Sequence, residues 1–303
     1  MSILVVGSVA LDSVKTPFGK VEDALGGSAT YFSISASYFS PVKVVAVVGE
    51  DFPDRHVKLL QHHKIDVSGL KKVSGKTFRW KGQYLYDLNQ AETLDTQLNV
   101  FADFSPEIPQ SYRDSNYVFL GNIDPELQRE VLKQVKRPKL VACDTMNFWI
   151  ERKPQELKKT LKLVDILVIN EGEARQLAGE SNLVKAAKAI CSMGPKALVV
   201  KRGEYGALFF NCARVFSAPA YPLDTVFDPT GAGDSFGGGF MGYLAKCGTL
   251  RDDDFRRAII FGSVMASFNV EDFSLNRLSK LNWPLIRKRF EQFKKLTHFE
   301  LLA

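Results

Sequence analysis

The chain has 303 residues, 45% of them hydrophobic and 24% charged, enough for one large α/β domain and unlike a disordered tail or a minimal scaffold. Its formal charge of +6 is mild. The one basic cluster, Arg287, Lys288, Arg289, Lys294 and Lys295, interleaves with Phe290 and Phe293 as an amphipathic closing helix, so no nucleic-acid partner is expected. Four cysteines at 143, 191, 212 and 247 form no C-x-x-C pair, against a structural zinc site or a disulfide scaffold and for buried thiols in a reducing cytoplasm.

The N-terminal run Met1 to Gly7 lacks a basic leader region and reads as a first strand. No apolar stretch approaches the roughly 20 residues that span a bilayer. A cytoplasmic protein with no membrane partner is expected.

Short apolar runs then alternate with helical patterns along the chain. Strands are expected at Ile3 to Val6, Val42 to Val48, Tyr117 to Leu120, Leu140 to Cys143, Ile166 to Ile169 and Ala197 to Lys201, most of them apolar throughout, as in strands covered on both faces. Helices are expected at Ala29 to Phe39, Pro53 to His63, Pro125 to Val135, Pro154 to Leu163 and Glu171 to Leu177. This order implies a mostly parallel sheet with helices on both sides.

Residues Thr77 to Phe104 break the rhythm. They read as strands Thr77 to Tyr86 and Thr93 to Phe101 around a turn at Asp87 to Glu92. With residues 12–22, the segment 75–104 is expected to form a β lid on a single 1–303 domain, or a clasp between two copies of the chain. Alternation puts the odd-numbered Thr77, Arg79, Gln83, Gln97 and Asn99 on one face, making them candidates to touch a ligand.

The strongest local signal is Asp228-Pro-Thr-Gly-Ala-Gly-Asp-Ser-Phe-Gly-Gly-Gly-Phe240, a glycine-rich turn opening a helix that Cys247 and Gly248 close. Free N–H groups at such an end form an anion site, and Gly231, Ala232 and Gly233 leave room for a phosphate. Asp234 would repel that phosphate unless something beside it must be deprotonated, which suits a general base worth roughly 10²–10⁴ in rate. The plainer reading makes Asp234 a helix-stabilising first-turn acid. Gly237, Gly238 and Gly239, each costing about 1 kcal/mol relative to alanine in a helix, ask for close approach by a ligand or another backbone.

These residues resemble the D-T-x-G-A-G-D signature of the ribokinase-like (PfkB) carbohydrate kinases, with Pro229 where that family often has threonine. The resemblance runs nearly end to end: Gly7 to Asp12, Gly26-Gly27-Ser28-Ala29, Asn170-Glu-Gly-Glu173 and Lys201-Arg-Gly-Glu-Tyr-Gly206 are each similar to a family segment. It implies a three-layer αβα fold with a mostly parallel central sheet and a small β lid. It also implies an ATP- and Mg²⁺-dependent kinase acting on a sugar or nucleoside hydroxymethyl group.

By resemblance, Asp234 is the base and the amides of 231–233 the anion hole. Asp12, Gly26, Gly27 and Ser28 serve the acceptor. Asn170 and Glu173 handle phosphate and water-bridged Mg²⁺, and Lys201, Gly203, Gly206, Thr230 and Ser263 line the nucleotide side. Asp228 resembles a monovalent-cation position, for which K⁺ is the candidate. Asn122, Asp144 and Asn147, after the ends of two expected strands, and the lid residues Thr77 and Arg79 join the acceptor candidates. On its own spacing, Asp12 reads equally as a turn residue and Asn170 to Glu173 as a capping box.

Rival readings are weaker. Gly69 to Thr77 has five residues between its glycines where a P-loop has four. The glycines at 231, 233 and 237 miss a dinucleotide fingerprint by one position, against an NAD-dependent dehydrogenase. A catalytically silent sugar- or nucleotide-binding sensor would fit the same fold, but has no need of Asp234.

Overall fold

A computed structural model describes residues 1–211, 214–298 and 300, so Cys212 lies outside the described residues. In chain order the strands are β1 (Ile3–Val6), β2 (Ala10–Thr16), β3 (Gly19–Gly26), β4 (Val42–Gly49), β5 (Asp66–Val73), β6 (Arg79–Tyr84), β7 (Ala91–Gln97), β8 (Tyr117–Leu120), β9 (Leu140–Asp144), β10 (Ile166–Asn170), β11 (Ala197–Lys201), β12 (Ala207–Asn211) and β13 (Arg214–Ala218). The helices are α1 (Ser28–Ser37), α2 (Asp54–His62), α3 (Pro125–Gln134), α4 (Asn147–Arg152), α5 (Pro154–Leu161), α6 (Glu171–Ala178), α7 (Leu183–Ser192), α8 (Ala232–Cys247), α9 (Asp252–Asn269) and α10 (Trp283–Thr297).

The main sheet runs β13-β12-β11-β10-β9-β8-β1-β4-β5. Its strands from β11 to β5 are parallel, and β12 runs against them, paired antiparallel with both β11 and β13. The apolar runs at Ile3–Val6 and Tyr117–Leu120 are buried throughout, because each face is covered by helices. Alternation then divides each strand between two cores. Ile3 and Val5 join α1, α8 and α9 on one side, while Leu4 and Val6 join α5, α6 and α7 on the other. Residues on both sides of every central strand are therefore out of water, each large aliphatic side chain contributing about 1.5–3 kcal/mol.

Helix ends follow their local chemistry. Asp124 caps α3 by accepting from Glu126 N, with Pro125 in the first turn. Gly248, at φ 70°, closes α8, where an L side chain would be strained.

The glycines inside α8 are there for its neighbours. A Cβ on Gly238 would stand 2.3 Å from Phe32 O of α1, and one on Gly239 would stand 2.7 Å from Phe261 O of α9. Close approach of two other backbones therefore accounts for them, and no ligand is needed to explain them.

The lid is a separate four-stranded sheet, β3-β2-β6-β7. Its hairpin is shorter than the sequence suggests. Asn99–Phe101 is a turn of 3₁₀-helix, with Asn99 at φ 49° and its Nδ2 donating to Thr77 O at 2.9 Å. The inward face is the even-numbered one: Asp12, Val14, Thr16, Gly82 and Tyr84 are buried, whereas Lys15 and Lys81 are exposed. The odd-numbered expectation is thus corrected, since Val14 and Tyr84, the large apolar side chains of the even-numbered face, are the ones buried against the protein.

Candidate active site

Three neighbouring parallel strands end on chemically active side chains at the same edge of the main sheet: Asp144 closes β9, Asn170 closes β10 and Lys201 closes β11. Asn170 and Lys201 are direct partners in the ladder. Lys201 Nζ reaches Asp144 Oδ2 at 3.2 Å and lies against Gly233, where a Cβ would stand 2.9 Å from it. Asn170 Oδ1 accepts from Glu173 N at 2.8 Å, and Glu173 Oε2 accepts from Asn170 N at 2.8 Å. The pair is therefore a complete capping box on α6, and the same helix start holds the Glu173 carboxyl beside Asp144 and Lys201.

Asp234 sits in the first turn of α8, whose N-cap Gly231 is at φ 74° with its α-carbon against the ring of Tyr31. Burial, reinforced by the charge of Asp144 and opposed by Lys201, pushes the Asp234 carboxyl up to about 7. Burial and Asp144 likewise push Glu173 up to about 7 against the pull of Lys201. Burial alone would lower Lys201, but Asp144, Glu173 and Asp234 leave it above its ordinary value. The cluster is one enclosed set of three carboxyls and one ammonium, short of positive charge.

Ala232 departs from the expected anion hole. Its N–H donates to Pro229 O at 3.1 Å, because the turn before α8 closes on itself, and this leaves Gly231 and Gly233 as the remaining candidates of the three.

A second group of residues lies beneath the lid. Asp12 Oδ2 accepts from Gly27 N at 3.3 Å. A Cβ on Gly26 would stand 1.9 Å from that carboxylate, and Gly27, at φ 92°, lies against Ser8 O. Gly26 thus makes room for Asp12 itself, and Gly27 for the backbone of Ser8 and Ala10. Burial, and then the nearby charges of Asp228 and Asp234, push Asp12 up to about 7 against the Gly27 hydrogen bond.

Tyr84, missed by the sequence reading, comes in from β6 with its hydroxyl 3.4 Å from Thr230 Oγ1, and burial raises it to about 12. The inward alternation of β6 was the signal that could have found it. Tyr31 is fully buried, with its hydroxyl beside the Ser274 side chain.

The turn between the two groups is braced from below. Asp228, 1% exposed, accepts from Thr230 N at 2.9 Å and from Ser274 N at 3.1 Å. Asn269, the last residue of α9, donates to Thr230 O at 2.7 Å and accepts from Ser235 Oγ at 3.0 Å. A monovalent cation beside Asp228 would share oxygens that already serve two amides.

Several expected ligand contacts have other partners. Thr77 is fully buried, and Asp51 accepts from both its N–H, at 2.7 Å, and its hydroxyl, at 2.6 Å. Arg79 pairs with Asp51 at 2.9 Å and with Asp23. These residues anchor the lid base because they lie on the odd-numbered side of β6 and the loop before it. Ser28 is turned inward to Ser8, Oγ to Oγ at 3.2 Å. Asn122 is occupied by Met146 Sδ and Trp149 Nε1, each at 3.0 Å, while Asn147 is exposed at the start of α4. Asp144, expected on the acceptor side, stands with Lys201 and Glu173. Ser263 is buried within α9. Gly203 (φ 53°) and Gly206 (φ 86°) shape the turn after β11, and the α-carbon of Gly203 is covered by the lid-tip residue Asn89.

Comparison with known proteins bears on the fold and the family. The chain is 29% identical to the cytidine kinase of Thermococcus kodakarensis over 80% of its own length and 87% of that protein. It superposes on the nucleoside kinase of Methanocaldococcus jannaschii with a TM-score of 0.77 at 20% identity, covering 96% of this chain and 98% of the other. It superposes on the aminoimidazole riboside kinase of Salmonella enterica, solved with aminoimidazole riboside and an ATP analogue, with a TM-score of 0.75 at 17% identity, covering 96% and 100%. Among the described residues no helix is long and apolar enough to cross a membrane. The profile of the pfkB family carbohydrate kinases matches residues 3–280, and the chain belongs to that family.

Proposed function

We propose that the chain transfers the γ-phosphoryl group of ATP to a hydroxymethyl group of a sugar or nucleoside, with Asp234 as general base. The observation that carries this is the position of Asp234: a carboxyl pushed up to about 7, in the first turn of α8 and enclosed with Lys201, Asp144 and Glu173. A group poised near neutral pH can accept a proton and be recharged. The names of the relatives, cytidine kinase and nucleoside kinase among them, support an acceptor of this kind.

Asp12 holds acceptor hydroxyls beneath the lid, so that the reacting hydroxyl lies between Asp234 and the α8 terminus. Its oxygen attacks the γ-phosphorus as its proton passes to the Asp234 carboxylate. The new O–P bond forms, the bond from the γ-phosphorus to the bridging oxygen breaks, and ADP leaves with that electron pair. Charge growing on the transferred group is met by the Gly231 and Gly233 amides and by Lys201, all oriented before the reaction begins.

Mg²⁺ fits the same space. Glu173 and Asp144 are two carboxyls with only Lys201 to balance them, and they would face an ion brought in on the phosphates through its waters, where it would neutralise phosphate charge. The lid excludes water that would otherwise compete as acceptor.

The test is ATP consumption across pentoses, hexoses and nucleosides by the wild type and Asp234→Asn. Stimulation by an acceptor, lost in the variant while ATP still binds, supports the reading. Acceptor-dependent turnover that survives in the variant removes Asp234 from the mechanism.

A further inference from the structure

The lid carries an aromatic surface on the face that bears Asp12. In the parallel pair of β2 and β6, Asp12 is the partner of Trp80 and Val14 the partner of Gly82. Laterally paired residues point to the same side of a sheet, and neighbouring strands lie about 4.7–4.9 Å apart. The indole of Trp80 folds onto Gly82, where an added Cβ would stand 2.2 Å from the ring. Trp80 Nε1 donates to Thr93 Oγ1 at 3.2 Å, and Thr93 is the β7 partner of Gly82. The ring is thus held against the sheet through its edge and one face, while the side chain as a whole remains only half-buried.

We infer that Trp80 is the surface on which the planar base of a nucleoside acceptor stacks, which makes it a specificity-determining residue and narrows the acceptor to the base-bearing class. The inference rests on the proposed role of Asp12 in holding acceptor hydroxyls. A base attached to a sugar held by Asp12 emerges one strand spacing away, over Trp80. Every nucleobase has a π-face that an indole can take, and a ring already fixed by Gly82 and Thr93 loses little freedom when one arrives. A free pentose offers the same hydroxyls to Asp12 and nothing flat to the indole. Of the other even-numbered aromatic rings in residues 78–84, Phe78 is stacked on Phe101 at 5.3 Å between centroids, and Tyr84, further along β6, is buried with its hydroxyl at Thr230.

Steady-state kinetics of the full chain at saturating ATP would test this, with nucleosides and free pentoses as acceptors, for the wild type, Trp80→Phe, Trp80→Ala and Gly82→Ala. Trp80→Ala is expected to raise the KM for nucleosides on the order of 10- to 100-fold, with the KM for ATP and any residual pentose activity unchanged. Trp80→Phe should fall between. Gly82→Ala keeps the indole but lifts it from its seat, so it should shift nucleoside KM in the same direction even if Trp80→Ala folds poorly. An unchanged nucleoside KM in both Trp80→Ala and Gly82→Ala overturns the role of Trp80. Wild-type turnover with pentoses and none with nucleosides overturns the substrate class and leaves phosphoryl transfer standing. Absence of turnover with every acceptor tells against the kinase reading on which both rest.

Discussion

Lys201 and Asp144 meet at 3.2 Å although they end strands that are not neighbours, β11 and β9, with Asn170 of β10 between them. Both are largely buried, at 17% and 8% side-chain exposure. An ammonium drawn across a strand end in this way holds several carboxyls together at one point, and Asp234 and Glu173 complete the set. The site is therefore an electrostatic unit in which the charge of Asp144 acts on Asp234, Glu173 and Lys201 alike.

Asp234→Asn should lower acceptor-dependent turnover by roughly 10²–10⁴ while leaving nucleotide affinity, measured by calorimetry, within a few-fold (about 1 kcal/mol) of the wild type.

The pH profile follows from the raised carboxyls. Asp234 works as a base only when ionised, and its carboxyl is pushed up to about 7, so kcat/KM should rise with pH through about 7 and decline below it. Asp12, also pushed up to about 7, steepens this acid limb if its charge is needed. The profile of the residual activity of Asp12→Asn should then be shallower. A flat profile between about pH 5 and 9 (about two units either side of the expected midpoint) would remove Asp234 as the titrating base.

Lys201→Met should shift the acid limb to higher pH, on the order of one unit, because the positive charge that favours ionised Asp234 is gone. The KM for ATP should rise with it. Thermal melts must accompany the profile, since breaking a largely buried pair destabilises the protein by about 3–5 kcal/mol.

Gly238→Ala separates packing from chemistry. The new methyl group would press on Phe32 O at 2.3 Å, a backbone atom that cannot rotate away. Urea denaturation should show a loss of about 1–3 kcal/mol, with KM for ATP unchanged in the protein that remains folded.

Arg79→Gln tests the lid anchor. Arg79 ties β6 to Asp51 of the main domain and to Asp23 of β3. Its loss should raise both acceptor KM and acceptor-independent ATP hydrolysis, and Arg79→Lys should recover part of each. Unchanged hydrolysis without acceptor would mean that this anchor does not govern water exclusion.

Much of the architecture was written locally. Apolar runs such as Ile3–Val6 read as strands buried on both faces, and the turn at 228–234 reads as the start of a helix. The family signature carried the site residues on those elements, because strand ends and helix starts are local events. The lid was read less well: one residue of register exchanges its faces, and only the burial of Val14 and Tyr84 against the protein selects the even-numbered one. Thr77 and Arg79 were accordingly assigned to a ligand when their partner is Asp51.

By itself, then, the sequence determined the alternating α/β order and the glycine-rich helix start, and through its family resemblance it offered Asp12, Glu173, Lys201 and Asp234 as candidates, since each depends on residues close in the chain. The tertiary structure alone decided which charges share an enclosure and which ring lies beside Asp12. It joined Asp144 to Lys201 across β10, spent the α8 glycines on α1 and α9, and brought Tyr84 to Thr230 and Trp80 onto Gly82. These are contacts between distant segments, set by sheet order and close packing, and no local pattern of residue types encodes them.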